Sequence, residues 1–145
     1  MKTYAFENRQ VFLGRLERGD DLLRSLTRFC KDLNIRAGSI QALGAVEKGS
    51  LGFYDQATRE YQELRFEGEM EIAALVGNVS LRNGEIFLHC HAVLSDAEGK
   101  SFGGHLNEGT TVFACEFSVF PLLGPAPVRT RNEATGLMLW DGDGI

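Results

Sequence analysis

The chain has 145 residues, 43% of them hydrophobic, and its 15 basic and 20 acidic side chains give a net charge of −5. This length and composition indicate one globular domain, residues 1–145, and exclude a disordered chain. No apolar run approaches the ~18 residues that a membrane-spanning helix needs, and "MKTYAFENRQ" has no signal-peptide core, so we expect a cytoplasmic protein without a membrane partner. Acidic side chains outnumber basic ones, and no lysine–arginine cluster is present. We therefore do not expect the isolated chain to bind nucleic acid directly.

The first element in chain order is a helix over about residues 20–33, within "GDDLLRSLTRFCKDLN". Asp20 is the expected N-cap, and Asp21 suits the first turn because carboxylates interact favourably with a helix N-terminus. Apolar residues recur at the 3.6-residue spacing of one helix face, at Leu22, Leu23, Leu26, Phe29, Cys30 and Leu33. We predict that this helix covers a sheet and carries no chemistry.

The rest of the chain is predicted to form strands. Branched and aromatic residues concentrate in "VFLGRL", "SIQALGAV", "SLGFYD", "EYQELRF", "EIAALVGNVSL", "EIFLHCHAVL", "TTVFACEFSVF" and "GLMLW". The pair Asn83-Gly84 between two apolar runs predicts a tight hairpin, and Glu98-Gly99 predicts another turn. The predicted fold class is therefore α+β, with a curved, largely antiparallel β-sheet and one main covering helix.

All three histidines lie in the stretch "EIFLHCHAVLSDAEGKSFGGHL". Successive side chains of a strand point to opposite faces, so His89 and His91 share one face and Leu88, Cys90 and Ala92 share the other. The second group is apolar and is expected to belong to the core. The first group places two imidazoles side by side, which is a suitable arrangement for binding one metal ion.

His105 can supply a third ligand from a neighbouring strand or loop. Gly103 and Gly104 would let the backbone approach closely, and Asp96 in the intervening turn could orient a ligand imidazole. Zinc, held by histidine nitrogen at ~2.0–2.1 Å, is the preferred cofactor, although copper, nickel and iron also bind imidazole. The alternative is that the histidines are simply solvated on an exposed sheet face.

Two carboxylates are candidates for acid–base chemistry beside such a site. Glu116, in "TTVFACEFSVF", is predicted to share a face with Val112, Ala114 and Ser118, where a buried charge would need a partner. Glu71, in "EMEIAAL", poses the same question. The alternative for both is an exposed carboxylate without a catalytic role.

Cysteine and nucleotide chemistry find little support. Cys30, Cys90 and Cys115 are an odd number without a Cys-x-x-Cys motif, which argues against a disulfide framework and a four-cysteine zinc site. We predict that each is a small buried apolar residue. The chain has no Gly-x-Ser-x-Gly elbow, phosphate-binding loop or Gly-x-Gly-x-x-Gly motif.

The order of these segments resembles the PPC domain, the plant and prokaryote conserved domain. The resemblance runs from "GRLERGDDLLRSLTRFC" through "EYQELRFEGEMEIAALVGNVSL" to the most specific part, "FLHCHAVLSDAEGKSFGGHLNEGTTVFACEFSV". It implies an antiparallel α+β fold, a homotrimer, and a cluster of His89, His91 and His105 that holds zinc in prokaryotic members. The wider fold is similar to that of acetolactate decarboxylase, whose zinc site is also rich in histidine, but that enzyme's full catalytic set has no match here.

Plant members of the family join the domain to AT-hooks, and no Arg-Gly-Arg-Pro segment occurs in this chain. A DNA-binding function assigned to this chain would therefore be based on its plant relatives and not on its own residues. The leading hypothesis is a trimeric PPC-domain protein with a three-histidine metal site and a small-molecule ligand there. Apolar residues are plentiful near the C-terminus, and Phe117, Phe120, Leu122 or Leu123 is expected to contribute to the trimer interface.

Two further hypotheses remain. The second is a metal-dependent enzyme, of lyase or hydrolase type, that acts on a small oxo- or hydroxy-acid with Glu116 or Glu71 as acid–base partner. The third is a regulatory module associated with nucleic acid. A deep pocket around the histidines would favour the enzyme, and a continuous positive surface would favour the regulatory module.

Overall fold

The structure is a computed structural model that describes residues 10–141. Along these residues the chain forms one helix and eight strands. In chain order they are β1 (Phe12–Leu16), α1 (Leu22–Asp32), β2 (Gly38–Asp55), β3 (Glu60–Arg82), β4 (Glu85–Ser95), β5 (Ser101–Leu106), β6 (Thr111–Pro121), β7 (Val128–Arg131) and β8 (Met138–Asp141). The predicted α+β class with one covering helix is confirmed. The extent of the domain over all of residues 1–145 stays a prediction.

The strands form one sheet in the order β1-β6-β2-β5-β4-β3-β7-β8, with β2 also paired to β3. Because of this extra pairing, β2, β5, β4 and β3 close on themselves. The neighbouring strands are antiparallel, apart from the parallel pair β3–β7. Extra residues at Glu47, Ala73 and Phe113 shift the register, and such bulges bend and twist strands. The predicted curvature has its physical cause in these bulges.

Two predictions of separate strands are corrected. The segments "SIQALGAV" and "SLGFYD" are one continuous β2, and "EYQELRF" and "EIAALVGNVSL" are one continuous β3. Glycines and charged residues in the middle of each strand resemble breaks, but here they accommodate a bulge or a close contact. One example is Gly49, between the two predicted segments of β2, where a Cβ atom would lie 2.5 Å from Cδ1 of Leu94. The short strands β5 and β7 were not among the predicted segments.

The predicted helix is confirmed, but its N-cap is Asp21 rather than Asp20. The Asp21 carboxylate accepts a 2.9 Å hydrogen bond from the backbone N–H of Arg24, which is the geometry of an N-cap. Asp20 instead accepts a hydrogen bond from the backbone N–H of Glu17 in the preceding turn. The helix buries Leu22, Leu26 and Cys30 against the sheet.

The hairpin predicted at Asn83-Gly84 is confirmed. Asn83 and Gly84 have φ values of 52° and 81°, and the flanking residues Arg82 and Glu85 pair directly. Positive φ at both central residues matches the right-handed twist of the two strands. This turn fixes the register of β4 against β3, and so the face to which the histidines of β4 point.

The core is formed by α1 and the inner face of the sheet, and it contains Cys30, Cys90 and Cys115 as free buried thiols. Phe117 is also a core residue, only 6% exposed and 5.2 Å from the ring of Phe29. Most of its side chain is therefore used in the core, and the expectation that Phe117, Phe120, Leu122 or Leu123 contributes to a trimer interface stays a prediction. Within residues 10–141 no helix is long and apolar enough to span a membrane.

Candidate metal centre

Three imidazoles converge on the outer face of β4 and β5. His91 on β4 pairs directly with His105 on β5, and His89 is one strand repeat away on the same face. The ring centroids lie 5.1 Å (His89–His91), 4.9 Å (His89–His105) and 5.5 Å (His91–His105) apart. One ligand nitrogen from each residue lies within 4.8 Å of the others. The predicted convergence of the three histidines is therefore present in the fold.

Strand alternation in β4 follows the prediction. Leu88, Cys90 and Ala92 are each 4% exposed or less and belong to the core. His89 is half-buried and His91 is exposed, so this face opens to solvent at one end. The site is consequently reachable from outside while its inner edge is shielded.

Burial lowers the pKa values of His89 and His105. Burial, followed by the charges of His105, Arg129 and His91, lowers the pKa of His89 to about 4. Burial also lowers the pKa of His105, with His91 and Arg129 acting in the same direction. Both rings are therefore neutral near pH 7, and neutral imidazole is the form that binds metal ions.

One nitrogen of the cluster lacks a partner. Nδ1 of His105 is buried and has no hydrogen bond to any described residue. A buried polar atom without a partner is costly, and this cost would be relieved by a bound ion or ligand. The donor set of three imidazole nitrogens also matches the ligands that zinc prefers. The residues therefore fit a metal ion.

The two glycines before His105 differ in their roles. A Cβ atom on Gly104 would lie 2.8 Å from the carbonyl oxygen of Gly52, so β5 can approach β2 this closely only with glycine there. A Cβ atom on Gly103 would meet nothing nearer than 3.7 Å, which is ordinary van der Waals contact. The expected close approach is thus a property of Gly104, next to the ligand His105, and not of Gly103.

Asp96 does not lie beside the histidines. It stands five residues beyond His91, a separation of about 16 Å along an extended strand. Its carboxylate accepts hydrogen bonds from the backbone N–H groups of Glu98 and Lys100, and thereby closes the turn between β4 and β5. The structure gives this carboxylate a role in the turn rather than in orienting an imidazole.

The two candidate acid–base residues also lie elsewhere. Glu116 is exposed on β6, between Arg15 and Leu43, and lines a different groove. The bulge at Phe113 turns Val112 into the core, so Val112 does not share a face with Glu116. Glu71 is exposed and pairs with Ser95 at the far end of β4. The fold brings neither carboxylate to the histidines.

A cavity of about 690 Å³ adjoins the cluster. Besides the three histidines, its lining includes the arginines Arg59, Arg82 and Arg129 and the tyrosines Tyr54 and Tyr61. Among the described residues that line it there is no aspartate or glutamate. The cavity is therefore positively charged, in a protein whose net charge is negative.

The aromatic ring of Tyr61 lies beside the imidazole of His105. Its ring centroid lies 5.4 Å from that of His105 and 5.0 Å from that of Tyr54. Burial raises the pKa of the Tyr61 phenol, and nearby Tyr54 adds to this effect. Tyr61 therefore presents a protonated hydroxyl near neutral pH, on the same wall of the cavity as His105.

Sequence reasoning did not identify the buried arginine of this cavity. Arg129, only 6% exposed, donates hydrogen bonds to Ser80 Oγ, to Asn78 Oδ1 and to the carbonyl oxygen of Met138. A signal was present in "GNVSL", where Asn78 and Ser80 are two polar residues on one face of an apolar strand. Nothing local connected that face to a hairpin about fifty residues later in the chain.

The comparisons with known proteins agree with this fold. The sequence profile of the Plants and Prokaryotes Conserved (PCC) domain matches residues 4–122. The metal-containing protein AF0104 from Archaeoglobus fulgidus is similar at 42% identity with a TM-score of 0.94, over 98% of this chain and 100% of that one. A candidate DNA-binding protein from Bacteroides thetaiotaomicron is similar at 29% identity with a TM-score of 0.85, over 95% and 96% of the two chains.

Two further proteins are also similar to this chain. Acetolactate decarboxylase from Bacillus subtilis is 12% identical with a TM-score of 0.55, over 94% of this chain and 62% of that enzyme, which shows a shared fold. The bifunctional protein GlmU of Synechococcus sp. strain JA-3-3Ab is 31% identical over 131 residues, which are 89% of this chain. The chain spans 20% of the length of that curated relative. Because the profile of the resembled family covers most of the sequence, the chain belongs to the Plants and Prokaryotes Conserved (PCC) domain family.

Proposed function

We propose that this PCC-domain protein binds one divalent metal ion through His89, His91 and His105. The observation that carries the proposal is the approach of three ligand nitrogens to within 4.8 Å of one another. Three protein nitrogens leave room in the coordination sphere for water or a small molecule. The protein is thus a metal-binding protein with a ligand cavity beside its metal.

The electrostatics of the cluster support the same proposal. The lowered pKa values of His89 and His105 keep both rings neutral, and the buried Nδ1 of His105 lacks a partner. The similar protein from Archaeoglobus fulgidus is a metal-containing protein at 42% identity. These three observations are independent of the sequence spacing that first indicated a metal.

Zinc is the metal that the donor set favours. Three imidazoles with an open position are a frequent catalytic zinc arrangement. Non-haem iron is more often bound by two histidines and a carboxylate, and the metal-ligand cluster among residues 10–141 includes no carboxylate. Calcium and magnesium prefer oxygen ligands, which this cluster does not offer.

Elemental analysis tests the metal proposal. Purified wild-type protein, refolded or expressed with added zinc and then desalted, is expected to hold about one zinc per chain. His91→Ala is the informative variant because His91 is exposed, so its loss should leave the core intact. Asp96→Asn is the matched control at the same hairpin, and it is expected to retain the metal. Equal metal content in wild type and His91→Ala would refute the proposal.

A second candidate function is an enzyme acting on a small oxo- or hydroxy-acid. The cavity of about 690 Å³ beside the histidines favours it over a purely structural metal site. A bound metal would supply Lewis-acid polarisation of a substrate oxygen. Within the chain, the protonated Tyr61 hydroxyl on the cavity wall is the group placed to donate a proton, and Glu116 and Glu71 are not.

We also propose the homotrimer that the family resemblance implies. Leu13, Leu43 and Val76 are 83%, 59% and 57% exposed, and all three line a groove of about 770 Å³ on the outer side of the sheet. Large apolar side chains clustered at a surface mark protein interfaces. A second copy of the chain that covers this groove would remove them from water, and a repeated heterologous contact closes into a ring.

A further inference from the structure

The charge of the cavity is the opposite of the charge of the protein. Three of the chain's 15 basic side chains line it, and none of its 20 acidic side chains is among the described lining residues. The three arginines of this lining produce a positive potential in a concave, partly enclosed space. Such clefts concentrate anions because low-dielectric walls focus the field.

Arg129 is the innermost of these cations. Its three hydrogen bonds to other described residues all end on neutral oxygens, those of Ser80, Asn78 and Met138. The ion pairs of the described residues include none with Arg129. Asp141 lines an adjoining cleft together with Arg129.

A buried guanidinium without a counter-anion is unfavourable. Arginine cannot escape the cost by losing its proton, and taking an unpaired charge from water costs several kcal/mol, as an order of magnitude. Burial and the charge of Arg82 both lower the pKa of Arg129, which shows the direction of this cost. An anion in the cavity would remove it.

The guanidinium still has donors for such an anion. Arginine carries five N–H groups, and the three hydrogen bonds use Nε once, Nη1 once and Nη2 once. Among residues 10–141, one N–H on each terminal nitrogen therefore has no acceptor. Two N–H groups from the two ends of one guanidinium fork match the two oxygens of a carboxylate.

Aromatic rings hold the guanidinium groups of Arg129 and Arg82 in position. Both Arg129 and Arg82 lie over the ring of Phe87, at 5.5 Å and 5.3 Å from its centroid, and Trp140 lies 5.7 Å from Arg129. Arg82 forms no ion pair among the described residues. Cation–π contacts fix the planes of the guanidinium groups without neutralising their charge. The cations are therefore oriented and remain available to a ligand.

We propose that the cavity binds a small carboxylate whose charged group is held by Arg129 and Arg82, with the rest of the molecule directed towards the three-histidine cluster. The inference rests on the proposed metal centre in one respect, because the bound metal would hold the other end of the molecule. The carboxylate anchor itself depends only on the two arginines. The ligand class is thus a small carboxylic acid with a polar group at its other end.

Calorimetric titration with a pair of matched probes tests the proposal. The probes are 2-hydroxyisobutyrate and its neutral amide, which have nearly the same shape and differ in charge. Zinc-loaded wild type is expected to bind the acid at least roughly tenfold more tightly than the amide, because only the acid pairs with a guanidinium. Equal affinity for the two probes would overturn the proposal.

Arginine variants locate the anchor. Arg82→Gln removes an exposed cation without disturbing the core, and it is expected to weaken acid binding about three- to tenfold without changing amide binding. Arg129→Lys keeps the positive charge but loses the paired N–H donors of the guanidinium. Its loss of acid binding is expected to be larger than that of Arg82→Gln. Arg24→Gln, on the exposed surface of α1, is the control and should bind as wild type does. Unchanged acid binding in Arg82→Gln and Arg129→Lys would refute the assignment, as would tighter binding of inorganic phosphate than of the acid.

The two proposals fail in different ways. Zinc content is measured on each protein by elemental analysis before titration, and the titration is repeated on protein stripped with a chelator. Protein that never holds zinc but still prefers the acid over the amide, in a manner that depends on Arg82, would refute the metal centre and support the carboxylate anchor. Zinc-loaded protein without that preference would refute the anchor alone.

Discussion

Arg129 Nε donates a 2.8 Å hydrogen bond to Ser80 Oγ, and both side chains are buried. This bond ties the C-terminal hairpin β7–β8 to the inner part of β3. The backbone pairing between β3 and β7 is confined to Leu81 with Val128 and Arg82 with Arg129. The bond between Ser80 and Arg129 therefore adds a buried side-chain attachment to a hairpin that forms one wall of the cavity.

The first prediction concerns this attachment. Ser80→Ala leaves a buried N–H of a charged group without its acceptor, which should lower the free energy of unfolding by about 1–3 kcal/mol. Urea denaturation followed by circular dichroism measures the change. Ser101→Ala, at an exposed position on β5, is the control and should change stability by less than about 0.5 kcal/mol. Equal stability of the two variants would contradict the role given to Ser80.

The second prediction uses the two glycines of β5. Gly104→Ala places a methyl group 2.8 Å from the carbonyl oxygen of Gly52, so β5 must shift and the protein should lose roughly 1–3 kcal/mol of stability. Gly103→Ala meets only ordinary contacts and should stay within about 0.5 kcal/mol of wild type. Because His105 follows Gly104, the first variant should also bind zinc more weakly. Similar behaviour of the two variants, in urea denaturation and zinc titration, would disprove the distinction.

The third prediction concerns the thiols. Burial raises the pKa of Cys30 and Cys90 to about 12 and that of Cys115 to about 11. At pH 8 an aromatic disulfide reagent should find no reactive thiol in native protein and three per chain in denaturant. The pKa of each native thiol lies above its unfolded value, so the unfolded chain releases protons first and stability should fall as pH rises from about 9 towards 11. Rapid labelling of native protein at pH 8 would show that the thiols are not buried in solution.

The fourth prediction concerns nucleic acid. A similar protein is named as a DNA-binding candidate, but this chain has a net charge of −5, and its three clustered arginines line a concave cavity rather than a broad surface. We expect no duplex binding in the micromolar range at physiological salt, because phosphate neutralisation supplies most of such affinity. Fluorescence anisotropy with random and A·T-rich duplexes is the measurement. Tight, salt-sensitive binding to either duplex would prove the expectation wrong.

The fifth prediction concerns assembly. Light scattering at low micromolar concentration should give three times the chain mass of 16.0 kDa. Leu43→Glu places a charge in the apolar groove and should reduce the mass to that of one chain. Leu33→Glu, at an exposed position after α1, is the control and should leave the mass unchanged. A wild-type mass of one or two chains would refute the trimer.

Local patterns were enough to predict several features of the fold and site. The helix followed from its apolar spacing, the hairpin from Asn83-Gly84, and the shared face of His89 and His91 from strand alternation. Each of these depends on backbone sterics over a few neighbouring residues. The convergence of the chain's three histidines in one short window added the expectation that His105 joins them from a neighbouring strand or loop, and the register of β4 and β5 bears this out.

Other features depended on pairings that are distant in the sequence. The bulge at Phe113 turned Val112 inward, and the placement of the strands left Glu116, Glu71 and Asp96 away from the histidines. A strand register and its bulges are chosen by the partners across the sheet, which the local sequence does not reveal.

The arginine cavity is the clearest case of such a long-range decision. Arg129 reaches Ser80 and Asn78 because β7 joins β3 in parallel, 49 residues along the chain from Ser80. Its charge was visible in the sequence, but its burial and the absence of an ion pair between it and a carboxylate of residues 10–141 were not. The sequence determined by itself which side chains could bind a metal and which strand face they share. Only the tertiary structure decided which cations stand beside them, because that proximity is made by packing between distant segments rather than by any local rule.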